Sequence, residues 1–514
     1  MIALQDQPVL ILGLGASGLA MARWCARAGA HVMVADTRAA PPQLEALKRD
    51  VPGARFMHTA FDAALVQGSA IRAVFKSPGL SPAEVATVSV AIKAMGIRAS
   101  GELGLFSQAL DDLKAAQGYS PAVLAITGTN GKTTVTSLTG QLVERAGKTV
   151  AVAGNIGPTL LDTLTQHLDA ATLPEVWVIE LSSFQLDDAS GFEPTAATIL
   201  NITQDHLDWH PTMQDYVAAK ARVFGQSGTM LLNRDDALVM AFMPGESAGG
   251  PTQRARARTI KGKLTRPVVT FGAGMPQRPG DYGLEQINGM VWLVRAMEAD
   301  ETRRKRNEAA EALHFQRLMP ADALRIRGRH NAGNALAALA LASAAGCGLA
   351  PMLYGLREYR GEPHRVEPAG IINGVEFFDD SKGTNVGATV AALNGLGAER
   401  KVVVILGGEG KGQHFEPLAE PVARHGRAVV LIGRDAPLIR MALTGTGVPL
   451  LDALSMDDAV AQASQAAHTG DAVLMSPACA SFDMFDNYQH RARAFCQAVN
   501  HLAALAGTEL EGRA

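Results

Sequence analysis

Short apolar runs recur along this chain, each followed by a stretch of helical character. PVLIL at 8–12 reads as a strand, a helix follows from about Ser17, and HVMVAD at 31–36 reads as a second strand. AVF at 73–75 reads as another, running into Lys76-Ser77-Pro78-Gly79. Such alternation predicts an open parallel α/β sheet. A second unit starts near Gly101, with strands AVLAIT (122–127), VWVIEL (176–181) and AATILNI (196–202) and a helix reaching about Ala146. A third begins around residue 360, where VEFFDD (375–380), KVVVILGG (401–408), RAVVLIG (427–433) and DAVLMS (471–476) alternate with helices. It predicts another open α/β sheet. Residues 245–320 are rich in Gly, Pro and Arg with weak periodicity, so short strands and loops are expected there, plus a helix near 300–315.

Size agrees with this division, since 514 residues are too many for one core and imply roughly two to four domains. Apolar residues make up 47% and charged residues 19%, an ordinary soluble composition. A net charge of −3 gives no global basic field, so neither nucleic acid nor a membrane surface is an expected partner. The run Arg303-Arg304-Lys305-Arg306 lies among Glu301, Glu308 and Glu311 and reads as a solvated helix face. Cys25, Cys347, Cys479 and Cys496 have neither metal-ligand nor redox spacing, which suits a reducing compartment. Residues 8–22 are apolar like a signal peptide, but no positive charge precedes them and they carry a glycine fingerprint; they read as a buried strand and turn. No stretch is long and apolar enough to span a membrane, and a cytoplasmic location is expected.

The chemistry concentrates first between AVLAIT and the helical TVTSLTGQLVERA, at Gly128-Thr129-Asn130-Gly131-Lys132-Thr133-Thr134. Glycines let backbone N–H groups close around phosphate oxygens, a helix N-terminus favours negative charge, and lysine reaches terminal phosphates. A hydroxyl directly after the lysine can ligate Mg²⁺. The loop departs from the usual spacing, because Ile126 occupies the first glycine position. ATP binding is expected here. Glu180 ends an apolar strand, a suitable place for a Mg²⁺-binding carboxylate, and Asp205-His206-Leu207-Asp208 follows the next strand. A second glycine pattern, Gly13-x-Gly15-x-x-Gly18, follows the first strand and opens a helix, with Asp36 closing the next strand. Any nucleotide diphosphate could use that helix terminus, NAD included.

Taken together, several segments resemble the Mur ligase family. They are TGTNGKTT (127–134), GNIG (154–157), ELSSFQL (180–186), DHLD (205–208), GRHNAGNALAA (328–338), PHRVE (363–367), DDSKGTN (379–385), LGGEGKG (406–412) and SPACASFDMF (476–485), in order across nearly the whole chain. The N-terminal GLGASG, Asp36-Thr37-Arg38 and SPACASFDMF are similar to the branch that adds D-glutamate to UDP-N-acetylmuramoyl-L-alanine. The resemblance implies three α/β domains: a Rossmann-like UDP-binding domain at 1–101, a central P-loop ATPase-type domain at 102–361, and a Rossmann-like domain at 362–514 that receives the amino acid. It implies a monomeric ligase using ATP and two Mg²⁺ ions in peptidoglycan precursor synthesis.

Residue roles follow from the same resemblance. Gly15, Ala16, Ser17, Asp36, Thr37, Arg38 and Gly79 would hold UDP; Asn155, Ser182 and Gln185 would line the muramoyl side. Lys132 and its loop would hold the ATP phosphates, Thr133 and Glu180 one Mg²⁺, and His206 the second. Lys220, in Tyr216-Val-Ala-Ala-Lys220, matches the family lysine that becomes carbamylated and so joins the metal site. Asn331, Asn334, Arg365, Asp380 and Lys382 would contact the nucleotide as the third domain closes. Thr384, Lys411, Ser481 and Phe482 would receive D-glutamate, beside Tyr488, which stands where a phenylalanine is familiar. Lys132, His206, Lys220 and Lys411 would act in catalysis, and the residues identify no general base. Two rival readings are a folylpolyglutamate synthetase-like ligase, opposed by the N-terminal glycines and Asp36-Thr37-Arg38, and an NAD-linked oxidoreductase, which leaves the phosphate loop unexplained.

Overall fold

The computed structural model describes residues 4–189, 191–207, 209–244, 266–298, 313–326, 328–398 and 400–507. Three parallel-stranded sheets organise the chain. In the first, strands run in the order Arg55–His58, His31–Asp36, Pro8–Leu12, Ala73–Lys76, Arg98–Ser100, all parallel. The chain starts in the middle, winds to one edge and then to the other. The crevice between Pro8–Leu12 and Ala73–Lys76 is therefore the switch point where open α/β sheets bind ligands, and the glycine turn opens there. Val9, Leu10, Ile11 and Leu12 are buried because both faces of the sheet are covered. The pattern of apolar residues had predicted this strand at its observed bounds.

The central sheet has the order Val268–Phe271, Thr229–Asn233, Ala196–Ile199, Ala122–Thr127, Val176–Glu180, Val150–Gly154, again parallel throughout. Its middle strand feeds the phosphate loop, and its neighbours end at Glu180 and just before Asn201. Trp177 fills the core on one face; its indole N–H donates to the Tyr119 hydroxyl at 2.9 Å, and that hydroxyl donates to the Pro174 carbonyl at 2.7 Å. On the other face lies the helix Arg329–Ala344, whose alanines and leucines are buried from Ala335 to Ala342. A helix apolar on all sides has to be enclosed, and this one packs on the helix that follows the phosphate loop, Lys132–Arg145.

A small antiparallel sheet, Tyr282–Ile287, Met290–Met297 and His314–Pro320, leans on the same core. This corrects part of the helix expected near 300–315: residues from His314 onward form a strand, held by pairing with Met290–Met297 that weak local periodicity does not reveal. The rest of that segment, with Arg303–Arg306, lies outside the described residues, as does Asp208. The third large sheet has the order Glu367–Ile372, Val375–Asp379, Ala472–Met475, Val402–Gly407, Gly426–Ile432, Leu450–Asp452, parallel except for its first hairpin. Among the described residues, no helix is long and apolar enough to cross a membrane.

Candidate active site

The phosphate loop is built by a turn that needs glycine. Gly131 caps the helix Lys132–Arg145 with φ +82°, in the left-handed region, and a Cβ there would lie 2.9 Å from Asn334 Oδ1. Asn130 is clamped by Asn201, which accepts its N–H at 2.8 Å and donates to its carbonyl at 3.0 Å. Thr129 Oγ1 donates to the Thr203 carbonyl at 3.1 Å and lies 3.1 Å from the Tyr216 hydroxyl. These contacts fix the loop to the ends of two neighbouring elements.

Two lysines converge on one carbonyl oxygen. Lys132 Nζ donates to the carbonyls of Gly128 and Thr129, both at 2.9 Å, and Lys220 Nζ donates to the same Gly128 carbonyl at 2.9 Å. Lys220 is 1% exposed and stands 4.6 Å from the centre of the Tyr216 ring. Burial pushes its ammonium well below the usual range; Lys132 adds to this, and Asp205 and Glu180 oppose it. Lys132 is also lowered by burial, with Glu180 and Asp205 opposing and Arg365 adding to the shift. A lysine held this way is readily deprotonated and nucleophilic.

The acidic partners come from the adjacent strand ends. Glu180 is buried; its Oε1 accepts from Asn155 Nδ2 at 2.7 Å, while its Oε2 has no hydrogen-bond partner among the described residues. An unsatisfied buried carboxylate oxygen is costly in isolation and is a suitable ligand for a hard cation. Asp205 Oδ1 accepts the His206 N–H at 3.0 Å, and Asp205 Oδ2 lies 3.6 Å from His206 Nε2. His206 has φ +55°, its ring meets Phe184 edge-on at 4.7 Å, and burial lowers its basicity against the opposing pull of Asp205. Lys132, Lys411 and Lys220 lower it further, so four of the expected site residues share one electrostatic neighbourhood.

The third sheet contributes the far wall. Arg365 donates to Thr133 Oγ1 at 2.8 Å, and its Nε is buried without a partner among the described residues. Asn385 meets Asn130 in a reciprocal amide pair at 3.0 and 3.2 Å. The domains are thus closed on one another, leaving a narrow cleft lined by Asn130, Gly131, Thr134, Asn331, Asn334, Arg365 and Asp380 among others. Asn334 Nδ2 donates to Asn331 Oδ1 at 3.0 Å. Burial raises Asp380 to about 7, against hydrogen bonding from Ser476 and the pull of Arg365. His330, on the cleft wall, is lowered by burial to about 4.

Residues expected at the amino-acid end are braced together. Lys382 Nζ lies 5.5 Å from the Tyr488 ring centre, and the Thr384 N–H donates to the Lys382 carbonyl at 2.9 Å. Arg491, 1% exposed, donates to the carbonyls of Ser381 and Cys479 at 2.9 and 3.1 Å, tying two loops of this region to one helix. Lys411 has φ +51°, Ser481 is buried, and Phe482 is 66% exposed. Glu409 and Ala480 form a bridge between the loops that carry Lys411 and Ser481.

At the first sheet, Gly13 has φ +84° and a Cβ on Gly18 would fall 2.1 Å from the Gly13 carbonyl oxygen, so helix and turn meet only without a side chain. Asp36, 2% exposed, accepts from the Leu14 N–H at 2.8 Å and from the Arg38 side chain at 2.9 and 2.8 Å. Burial alone would raise its pKa; the bonds from Arg38 and from the Arg38 and Leu14 N–H groups outweigh it and hold Asp36 at about 2. Ala16 and Ser17 open the following helix, Thr37 is exposed with its carbonyl 3.2 Å from His58 Nε2, and no atom would obstruct a side chain at Gly79. Ser182 and Gln185 are occupied with each other in a capping box, Gln185 N–H donating to Ser182 Oγ at 3.2 Å.

Residues 7–101 match the Mur ligase MurD-like N-terminal domain, 126–249 the Mur ligase middle domain and 364–479 the Mur ligase glutamate ligase domain. A UDP-N-acetylmuramoylalanine–D-glutamate ligase of Albidiferax ferrireducens is 71% identical over the whole of both chains. The chain belongs to the Mur ligase family. A protein of the same name from a Polaromonas species is 59% identical, covering 99% of this Mur ligase and 100% of that protein. Two solved structures share the fold: a pseudomurein peptide ligase type C from Methanothermus fervidus (TM-score 0.54, 17% identity, 97% of this chain and 100% of that one) and the UDP-N-acetylmuramate–alanine ligase from Thermotoga maritima (0.52, 18%, 96% and 99%). The Mur ligase site also contains residues that motif reading left without a role: Asn201, Tyr216, Asn385, Ser476 and Arg491. Asn201 had a signal only as a polar residue near a strand end, and Asn385 as the last residue of the segment DDSKGTN, without a role of its own.

Proposed function

We propose that this Mur ligase adds D-glutamate to UDP-N-acetylmuramoyl-L-alanine, with ATP as the activating substrate. The observation that carries the reading is the pairing of buried Lys220 and half-buried Lys132 on the Gly128 carbonyl with a Glu180 oxygen that has no partner among the described residues, beneath Arg365 from the third unit. The two relatives named for that reaction match 100% and 99% of the chain, its third unit included.

A carboxylate is a poor acyl donor, because oxide would have to leave. Phosphoryl transfer from ATP to the L-alanine carboxylate gives an acyl phosphate; the D-glutamate amine attacks its carbonyl, and phosphate leaves from the tetrahedral intermediate. Lys132 holds the transferring phosphoryl oxygens and Arg365 adds positive charge from the closing side. Thr133 and Glu180 would hold one Mg²⁺, and His206 with Lys220 a second; these ions neutralise phosphate oxygens when bound. The buried, easily deprotonated Lys220 fits reaction with CO₂, which turns a repelled ammonium into an anionic oxygen ligand. Asn331, Asn334, Asp380 and Lys382 hold the nucleotide. Thr384, Lys411, Ser481, Phe482 and Tyr488 receive D-glutamate, whose carboxylates need cationic and hydroxyl partners. Gly15, Ala16, Ser17, Asp36, Thr37, Arg38 and Gly79 hold UDP, and Asn155, Ser182 and Gln185 flank the muramoyl group. Closure of the third domain keeps water from the acyl phosphate. The reaction belongs to cytoplasmic peptidoglycan precursor synthesis, carried out by a monomer.

The test is phosphate release from ATP with UDP-N-acetylmuramoyl-L-alanine and each amino acid in turn. D-glutamate should support it. Release with L-alanine or diaminopimelate but not D-glutamate would overturn the assignment.

A further inference from the structure

Asn385 stands 5% exposed where the third sheet meets the phosphate loop. Its Oδ1 accepts from the Ala388 N–H at 2.9 Å and from Asn130 Nδ2 at 3.2 Å. Its Nδ2 donates to Asn130 Oδ1 at 3.0 Å and to Asp205 Oδ2 at 3.3 Å. A primary amide has two donors and a two-lone-pair acceptor, so the whole capacity of this side chain is used. One bond caps the helix Val386–Gly397; the other three cross to the central sheet. Asn130 is gripped from its other side by Asn201, and the second oxygen of Asp205 accepts the His206 N–H. The approach is close: a Cβ on Gly387 would lie 2.7 Å from Thr203 Oγ1 and 3.0 Å from Asn130 Nδ2.

We propose that Asn385 is a positioning residue that registers closure of the third domain on the phosphate loop and carries it to the Asp205–His206 segment. Arg365 and Asn385 arrive on the same closing domain, but only Asn385 touches both the loop and that segment with one rigid group. Closure thereby adds a direct tie from the loop to Asp205, beyond those the loop already makes with Asn201 and Thr203. The kinetic part of this inference rests on the ligase reading; the closure part does not.

Asn385→Ser separates positioning from helix capping, because serine is a good N-cap but cannot span to Asn130 and Asp205 together. Its melting temperature should stay near that of the parent. Its kcat should fall about tenfold to a hundredfold, the scale of a small misplacement in a reacting geometry, with KM for the UDP-linked substrate unchanged. An Asn130→Ser, Asn385→Ser double variant should lose no more than the worse single variant, since the two amides act as one unit. Small-angle scattering with Mg²⁺ and a non-hydrolysable ATP analogue should show a more extended particle for Asn385→Ser than for the parent. Unchanged kcat, or losses that multiply in the double variant, would overturn the proposal. If the parent enzyme fails to use D-glutamate, the ligase reading falls alone; scattering then decides, and identical profiles for parent and Asn385→Ser overturn the proposal.

Discussion

Two glycine turns in this protein share one plan and differ in what surrounds them. Both follow the middle strand of a parallel sheet and open a helix, at Gly13–Gly18 and at Gly128–Lys132. Behind the first stands Asp36, whose oxygens are fully engaged by Leu14 and Arg38. Behind the second stand buried Lys220, half-buried Lys132, a glutamate oxygen without a partner among the described residues, and an arginine from another domain. Asp36 is electrostatically settled, which suits holding a ligand. The second turn concentrates unsettled charge and suits moving one. A nucleotide-binding turn therefore becomes a reaction centre through what is buried next to it.

Breaking the second turn should have the larger effect. Lys132→Met should lower turnover by at least about a thousandfold, as for removal of a principal charge-stabilising group, while calorimetric binding of the UDP-linked substrate is retained. Lys220→Ala should cost about a hundredfold or more on the same reasoning, and formate or acetate should restore part of it by offering carboxylate oxygens; full activity in the variant would exclude the carbamate. At the first turn, Gly18→Ala forces a Cβ against the Gly13 carbonyl and should destabilise by about 1–3 kcal/mol, read by denaturant unfolding. Asp36→Asn should raise KM for the UDP-linked substrate about tenfold, equivalent to one charge-assisted hydrogen bond, with kcat nearly unchanged. The smallest effect is acid sensitivity. Asp36 lies at about 2 when folded, below the usual value of about 3.9 for an unfolded chain. Its stabilising contribution is therefore present above about pH 4 and lost as pH falls through about 2. Acid unfolding of Asp36→Asn should lack that component.

The same contrast explains what was legible in the sequence. Strands such as Pro8–Leu12 and Ala122–Thr127 are apolar runs ended by glycine turns, so their bounds could be read directly. Lys132, Glu180 and Lys220 could be named from motifs, but the convergence of the two lysines on one carbonyl near Glu180 depends on strand order, which places Val176–Glu180 and Ala196–Ile199 on either side of Ala122–Thr127. Asn385 was hidden because an asparagine before a helix reads as a cap, and its other three bonds come from residues about 180 and 255 positions away. Short strands are expected across 245–320, but the start of His314–Pro320 reads as the end of a helix, because that strand is specified by a partner strand rather than by its own pattern.

The cleft between the central and third sheets has walls from two bodies: Asn130, Asn331 and Asn334 on one side, Arg365, Asp380 and Gly383 on the other. A small molecule shaped to that space would act as an adhesive between domains rather than as a plug in either. Its residence time would be governed by the opening of the seam. Resistance would then arise through substitutions that loosen the seam on either wall, leaving each wall's own chemistry intact, and a screen confined to the isolated central domain would overlook such compounds.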